Sequence, residues 1–201
     1  MGLWLTASPL VLASGSAVRR RLLEAAGIPV EVRPASLDER AVEATATRDD
    51  PSAVAALLAR AKALRVAKDV PDRLVIGADQ TLALGSRRFD KPADRAAAGA
   101  QLQTLAGRTH ELHAAVAVAR GSGVLFEHVD VARLTMRPLS AAVLDRYLDA
   151  AGAAVTASVG GYQLEALGVH LFERIEGDHF TILGLPLLPL LAYLRAERSL
   201  A

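Results

Sequence analysis

The chain has 201 residues, 52% of them apolar, with 23 Lys plus Arg against 22 Asp plus Glu, a net charge of +1. That length suits a single domain, 1–201, in one or two lobes with a sizeable core, and a charge near zero excludes a general binder of nucleic-acid polymers. No Cys is present, which excludes a disulfide framework or a thiolate metal site and fits a cytoplasmic protein. The apolar run LWLTASPLVLASGSA has the look of a secretory signal, but Arg19, Arg20 and Arg21 follow it, the reverse of a signal's order. Within it, Leu10 to Ala13 reads as a short strand. The turn Ser14-Gly15-Ser16 leads into a helix capped by Ser16 and stopped by Gly27. Val30 to Pro34 reads as a second strand. Asp50 or Ser52 starts a long helix to about Asp69, with Pro51 in its first turn. Leu74 to Ala78 is a continuous apolar strand that ends on Asp79. Asp94 caps a helix through Leu105. Glu111 to Ala119 and Phe126 to Arg133 read as an antiparallel pair around Gly121-Ser122-Gly123. Ser140 caps a helix to about Ala150, Val169 to Arg174 reads as a strand, and Pro186 begins a last helix. The run TILGLPLLPLLAYL is too short to span a membrane and holds two prolines, so no membrane partner is expected. The alternation of strands and helices predicts an α/β chain, and the hairpin predicts a mixed sheet.

Three stretches carry chemistry. LASGSAVRRRLL places a strand, a small-residue turn and a helix start in series, where free N–H groups can hold an anion. Ser14 offers a hydroxyl and Arg19 or Arg20 a charged fork. A capped helix with a solvated Arg cluster explains the same residues, and the ending of a P-loop is missing. In LVIGADQTLALGSRRFDKP, Asp79 stands at the carboxyl end of a strand, where open α/β sheets bind ligands. A carboxylate there can bind Mg²⁺ or take a proton from an attacking water. Gln80 beside it can donate or accept hydrogen bonds, and Lys91 is in reach of a phosphate. A capped turn and a surface lysine are the alternative. In SLDERAVE, Glu39 can share a hard cation with Asp79, or lie in a solvated acidic loop. Lys62 lies mid-helix, where lysines are commonly solvent-facing. His110 and His113 fall three apart in a strand, so they face opposite sides, and no zinc spacing is present.

Taken in order, these stretches resemble the Maf-like nucleotide pyrophosphatases. LASGSAVRR is similar to that family's Leu-Ala-Ser-x-Ser-Pro-Arg-Arg, with Ala17 and Val18 where Pro-Arg or Pro-Trp are usual. LDER, RAKA, VIGADQT, DKP, LAGRTHELHAAVAV, GGYQLEALG and RIEGDHFTILGLPL continue the resemblance over nearly the whole chain. The resemblance implies an elongated mixed sheet with flanking helices, in two lobes around a cleft, as in inosine triphosphatases. It implies hydrolysis of a nucleoside triphosphate to the monophosphate and pyrophosphate with Mg²⁺ or Mn²⁺, and often a homodimer. On matching positions it makes Asp79 the proton acceptor and a metal ligand, and Glu39 a second metal ligand. Ser14, Arg19, Lys62 and Lys91 become phosphate-binding residues. Gln80 with Glu165 resembles the branch acting on 7-methyl-GTP. A dTTP or UTP branch carries Thr and Gln at those positions. Val18 stands where the 7-methyl-GTP branch has Trp, so a stacking partner for the base is missing there. An inosine or xanthosine triphosphate pyrophosphatase of the related fold, and a non-catalytic nucleotide-binding regulator of cell division, are the rival expectations.

Overall fold

The computed structural model describes residues 2–46 and 50–201. Seven strands form one mixed sheet in the order β2-β1-β3-β5-β6-β7, with β4 on β3. The strands are β1 (Leu10–Leu12), β2 (Val30–Val32), β3 (Val75–Leu84), β4 (Arg87–Phe89), β5 (Thr109–Arg120), β6 (Gly123–Met136) and β7 (Phe172–Glu176). β1 pairs parallel with β2 and β3, and every other pairing is antiparallel. The helices are α1 (Ala17–Ala25), α2 (Glu39–Glu43), α3 (Pro51–Ala67), α4 (Arg95–Leu105), α5 (Ala141–Ala151), α6 (His179–Ile182) and α7 (Leu187–Ala196).

The predicted caps are found where the local chemistry puts them. Ser16, Asp50, Asp94 and Ser140 each accept a first-turn N–H, so each helix start has one orphan donor satisfied. Gly27 ends α1 with φ 76°, a conformation that favours glycine. The acidic stretch after β2 is also a helix, α2, started by Asp38.

Three expected boundaries are corrected. β3 does not end at Asp79 but runs on to Leu84. A polar side chain is tolerated mid-strand here because α3 supplies partners: Thr81 Oγ1 donates to the Pro51 carbonyl at 2.9 Å, and Asp79 meets Lys62. The last strand begins at Phe172, since residues 167–171 coil as a 3-10 turn. A Cβ at Gly168 would strike the Gln163 backbone, so the chain folds back on itself there. β2 stops at Val32, two residues before the expected Pro34.

The two faces of the sheet bury different cores. Val75, Ala115, Ala117 and Ala119 face α3, whose Ala55, Ala59 and Ala63 pack closely on them. The opposite face buries Ile76, Ala78, Val116 and Val118 under Leu185, Leu187, Leu190 and Leu194 of the C-terminal segment. Farther along the sheet, Leu82, Leu112 and Leu134 join Leu102, Leu105, Leu144 and Leu148 of α4 and α5. These burials, at about 1.5–3 kcal/mol per large aliphatic side chain, hold the scaffold. β1 pairs with β3 only as far as Ile76, and β4 takes over at Leu82. Among the described residues, 77–81 therefore have no strand neighbour on that edge, and a cleft opens there.

Candidate active site

The cleft measures about 750 Å³, room for a nucleotide-sized ligand. It is lined by the turn after β1, the start of α2, the middle of α3, the open edge of β3, β4 and the loop around residues 157–165. All the singled-out residues line it: Ser14, Val18, Arg19, Glu39, Lys62, Asp79, Gln80, Lys91 and Glu165.

Lys62 is the residue the fold changes most. A mid-helix lysine is expected in solvent, yet Lys62 is buried at 8% exposure. Its Nζ donates to Asp79 Oδ1 at 2.6 Å and stands 2.9 Å from Glu39 Oε1. Gly77 lets this happen. A Cβ there would collide with the Ala59 carbonyl oxygen and the Ala63 amide nitrogen, so only glycine lets α3 lie this close to β3. Asp79, two residues on and on the same face, then falls within reach of Lys62. Asp79 is itself 8% exposed, while Glu39 reaches in from the solvent side. The ammonium between two carboxylates relieves the repulsion that would otherwise oppose bringing them together.

The turn after β1 is tied to the same spot. Arg19 Nη1 donates to the Ala78 carbonyl at 2.7 Å and to Ser14 Oγ at 3.2 Å, and Nε donates to the Gly184 carbonyl at 2.7 Å. Those bonds hold the guanidinium through Nε and Nη1, and among the described residues Nη2 has no bonded partner. Burial pulls the Arg19 guanidinium below its usual value, against the opposing pull of Asp79 and Glu39. Ser14 Oγ also accepts the Ser16 N–H, which leaves its hydroxyl proton to a ligand.

Gln80 sits on the other face of β3 from Asp79, by the strand's period of two. Its Nε2 donates to the Thr181 and Ile182 carbonyls, both at 3.0 Å. Of the donating and accepting expected of Gln80, the N–H groups are taken by the end of α6, and the oxygen remains. Lys91 and Glu165 are exposed at the cleft, and Val18 is half-buried. Sequence reasoning missed Arg88, which stands 3.1 Å from Glu43 of the acidic stretch in the cleft wall, and Tyr162. The run Arg87-Arg88 was a usable signal for the first, because alternation in β4 sends only one of the two to the cleft.

Among the described residues, no group of three or more His, Cys, Asp or Glu could hold a metal by itself. Glu39 and Asp79 both reach the Lys62 ammonium, and two neighbouring carboxylates completed by phosphate oxygens and water are an ordinary set for Mg²⁺. The donor set fits a hard divalent cation.

A protein of Rhodopseudomonas palustris (strain BisB18) named "Nucleoside triphosphate pyrophosphatase" is 59% identical, over 100% of both chains. A "7-methyl-GTP pyrophosphatase" of Rhizobium etli is 53% identical, over 92% of this chain and 94% of that one. A solved HAM1 protein from Coxiella burnetii shares 16% identity over 64% of this chain and 72% of its own, with a TM-score of 0.42. Residues 9–197 match the family described as Maf-like protein, and they include every residue that lines the cleft. The chain belongs to the Maf-like protein family.

Proposed function

We propose that the cleft hydrolyses a nucleoside triphosphate to the nucleoside monophosphate and pyrophosphate. The observation that carries this reading is the meeting of Glu39, Lys62 and Asp79 at the open edge of β3. The relatives named nucleoside triphosphate pyrophosphatase support it. Lys62 occupies Oδ1 of Asp79 and leaves Oδ2 as proton acceptor. In the proposed reaction, a water oxygen attacks the α-phosphorus as its proton passes to Oδ2, and the bond from that phosphorus to the bridging oxygen breaks. Pyrophosphate leaves. Arg19, through its unbonded Nη2, and Lys91 hold phosphate oxygens, with Ser14 donating from the turn.

The charge count supports a divalent cation. Arg19, Lys62, Arg88 and Lys91 line the cleft against Glu39, Glu43, Asp79, Asp90 and Glu165. Four cations among five acids cannot neutralise a triphosphate. Mg²⁺ or Mn²⁺ held by Glu39 and Asp79 supplies the missing positive charge when bound. For the base we propose a guanine, and a methylated guanine first. Glu165 is a pure acceptor when ionised, and Gln80 has only its oxygen left, so both suit the N–H donors of a guanine edge. The cytoplasm, where nucleoside triphosphates are held, is the proposed place of action.

The test is pyrophosphate release from 7-methyl-GTP, GTP, dTTP, UTP and ITP with Mg²⁺ or Mn²⁺. Turnover is expected, with 7-methyl-GTP first. No turnover of any nucleotide sinks the enzyme reading, and equal or faster turnover of dTTP sinks the guanine assignment.

A further inference from the structure

The end of α6 sets Gln80, and two residues away from the cleft set the end of α6. A four-residue helix leaves its last carbonyls without i+4 partners, although that of Thr181 also accepts the Gly184 N–H of the turn at 3.0 Å. Gln80 Nε2 takes those of Thr181 and Ile182, and Arg19 Nε takes that of Gly184 just beyond. Because both Gln80 contacts are to carbonyls, its nitrogen is the end of the amide on α6, and its oxygen lies beside Gly184. Gly184, at φ 85°, keeps the junction narrow: a Cβ there would stand 3.3 Å from Arg19 Nη2 and 3.5 Å from Gln80 Oε1.

The turn is anchored from β6. Thr181 is fully buried, and its Oγ1 donates to Asp130 Oδ2 at 2.7 Å. The other Asp130 oxygen accepts the Val131 N–H at 2.9 Å, so the carboxylate is held at both ends. Asp178 Oδ1 accepts the Phe180 and Thr181 N–H groups at 3.0 and 3.1 Å. Sheet register explains the reach: Gln80 lies opposite Ala114, and Ala114 opposite Asp130, so all three share one face. Neither Asp130 nor Thr181 lines the cleft, although Ile182 and Leu183 of the same turn do.

We propose that Asp130 and Thr181 are positioning residues for substrate selection. They hold the α6 carbonyls where these lock the Gln80 amide with its oxygen as the one atom left to a base. The inference rests on the pyrophosphatase reading for its substrate. It requires that the lock act on binding and leave the proton transfer at Asp79, on the opposite face of β3, untouched.

Thr181→Val removes the hydroxyl at nearly constant volume, and Thr181→Ser keeps it. For Thr181→Val we expect KM for the preferred nucleotide to rise about tenfold with kcat within about twofold, the loss of one buried hydrogen bond at the binding step. The ratio of kcat/KM between guanine and pyrimidine nucleotides should narrow. The side-chain amide protons of Gln80, followed by NMR, should exchange with solvent faster, and Thr181→Ser should restore all of these values. An unchanged KM in folded Thr181→Val, or a fall in kcat at constant KM, overturns the proposal. So does unchanged Gln80 exchange, which needs no substrate. If the wild-type protein turns over no nucleotide, the pyrophosphatase reading fails on its own, and the exchange comparison still decides whether the lock exists.

Discussion

Asp79 and Gln80 are neighbours in sequence, yet they belong to two unlike regions of the molecule. On one face of β3, Asp79 is an ion among ions, held by Lys62 and Glu39 where Gly77 lets α3 approach. On the other face, Gln80 is a neutral amide whose donors close the end of α6. The first arrangement keeps charge in a poorly solvated place, which is useful for moving a proton. The second fixes the direction of a dipole, which is useful for telling bases apart. In the proposed reading, one strand separates the chemistry from the selection by the alternation of its side chains.

The largest expected effect breaks the ionic face. Asp79→Asn should lower kcat by about 10²–10⁴-fold, the usual worth of a positioned proton acceptor, while unfolding stays cooperative. Pyrophosphate release and a denaturant melt check both halves, and near-native turnover removes Asp79 from its role. Lys62→Met leaves two carboxylates facing each other and should destabilise the fold by about 3 kcal/mol in denaturant titration, as removal of one partner of a buried pair does. A smaller loss would mean that Glu39 swings out to water. Gly77→Ala separates the helix from the strand without touching a charge. It should cost about 2–3 kcal/mol by overpacking and lower kcat as well, since Lys62 then draws away from Asp79. A loss of stability with full activity would detach the close approach from the chemistry.

The Gln80 face contains a titratable group that the ionic face does not control. His110 is buried beside Tyr162, and burial pulls its imidazole down to about 4 from 6.5. The folded state thus holds His110 neutral while the unfolded state takes up a proton, so stability falls as pH drops from about 6.5 toward 4. The full swing is up to about 3 kcal/mol by the conversion of pKa shift to free energy. His110→Gln should flatten that slope in melts across the range, and an unchanged slope assigns the acid loss to another group. The smallest effect is Glu165→Gln, which should shift preference away from guanine by less than tenfold, about 1 kcal/mol for one exposed hydrogen bond. An unchanged ranking of nucleotides removes Glu165 from base reading.

Much of this was legible in the chain because much of it is local. Ser16, Asp50, Asp94 and Ser140 cap the helices their position announces, and Gly27 stops one. The hairpin of β5 and β6 follows from its apolar runs and glycine turn, and His110 and His113 do fall on opposite faces. His110 meets Tyr162, and His113 meets Ser52 of α3. The candidate site residues were found as an ordered set of short stretches, and they do line one cleft. What stayed hidden were facts about pairs far apart. β3 looks finished at Asp79 because an acid ends an apolar run, and only the partners on α3 let the strand continue. Lys62 looks like any helix lysine because its burial depends on a glycine fifteen residues later. Gln80 looks free because the carbonyls that hold it lie 101 and 102 residues away.

The sequence by itself determined the element types, most of their ends, the mixed sheet and the list of groups able to do chemistry. Each of those depends on periodicity or on capping within a few residues, which a chain carries wherever it goes. Tertiary structure alone decided the work of each group. It buried Lys62 against Asp79, turned the Gln80 amide onto α6, and left Nη2 of Arg19 without a bonded partner among the described residues. The physical reason is that a polar side chain in a partly dry cleft must find a partner, and the partner is chosen by what the fold brings near.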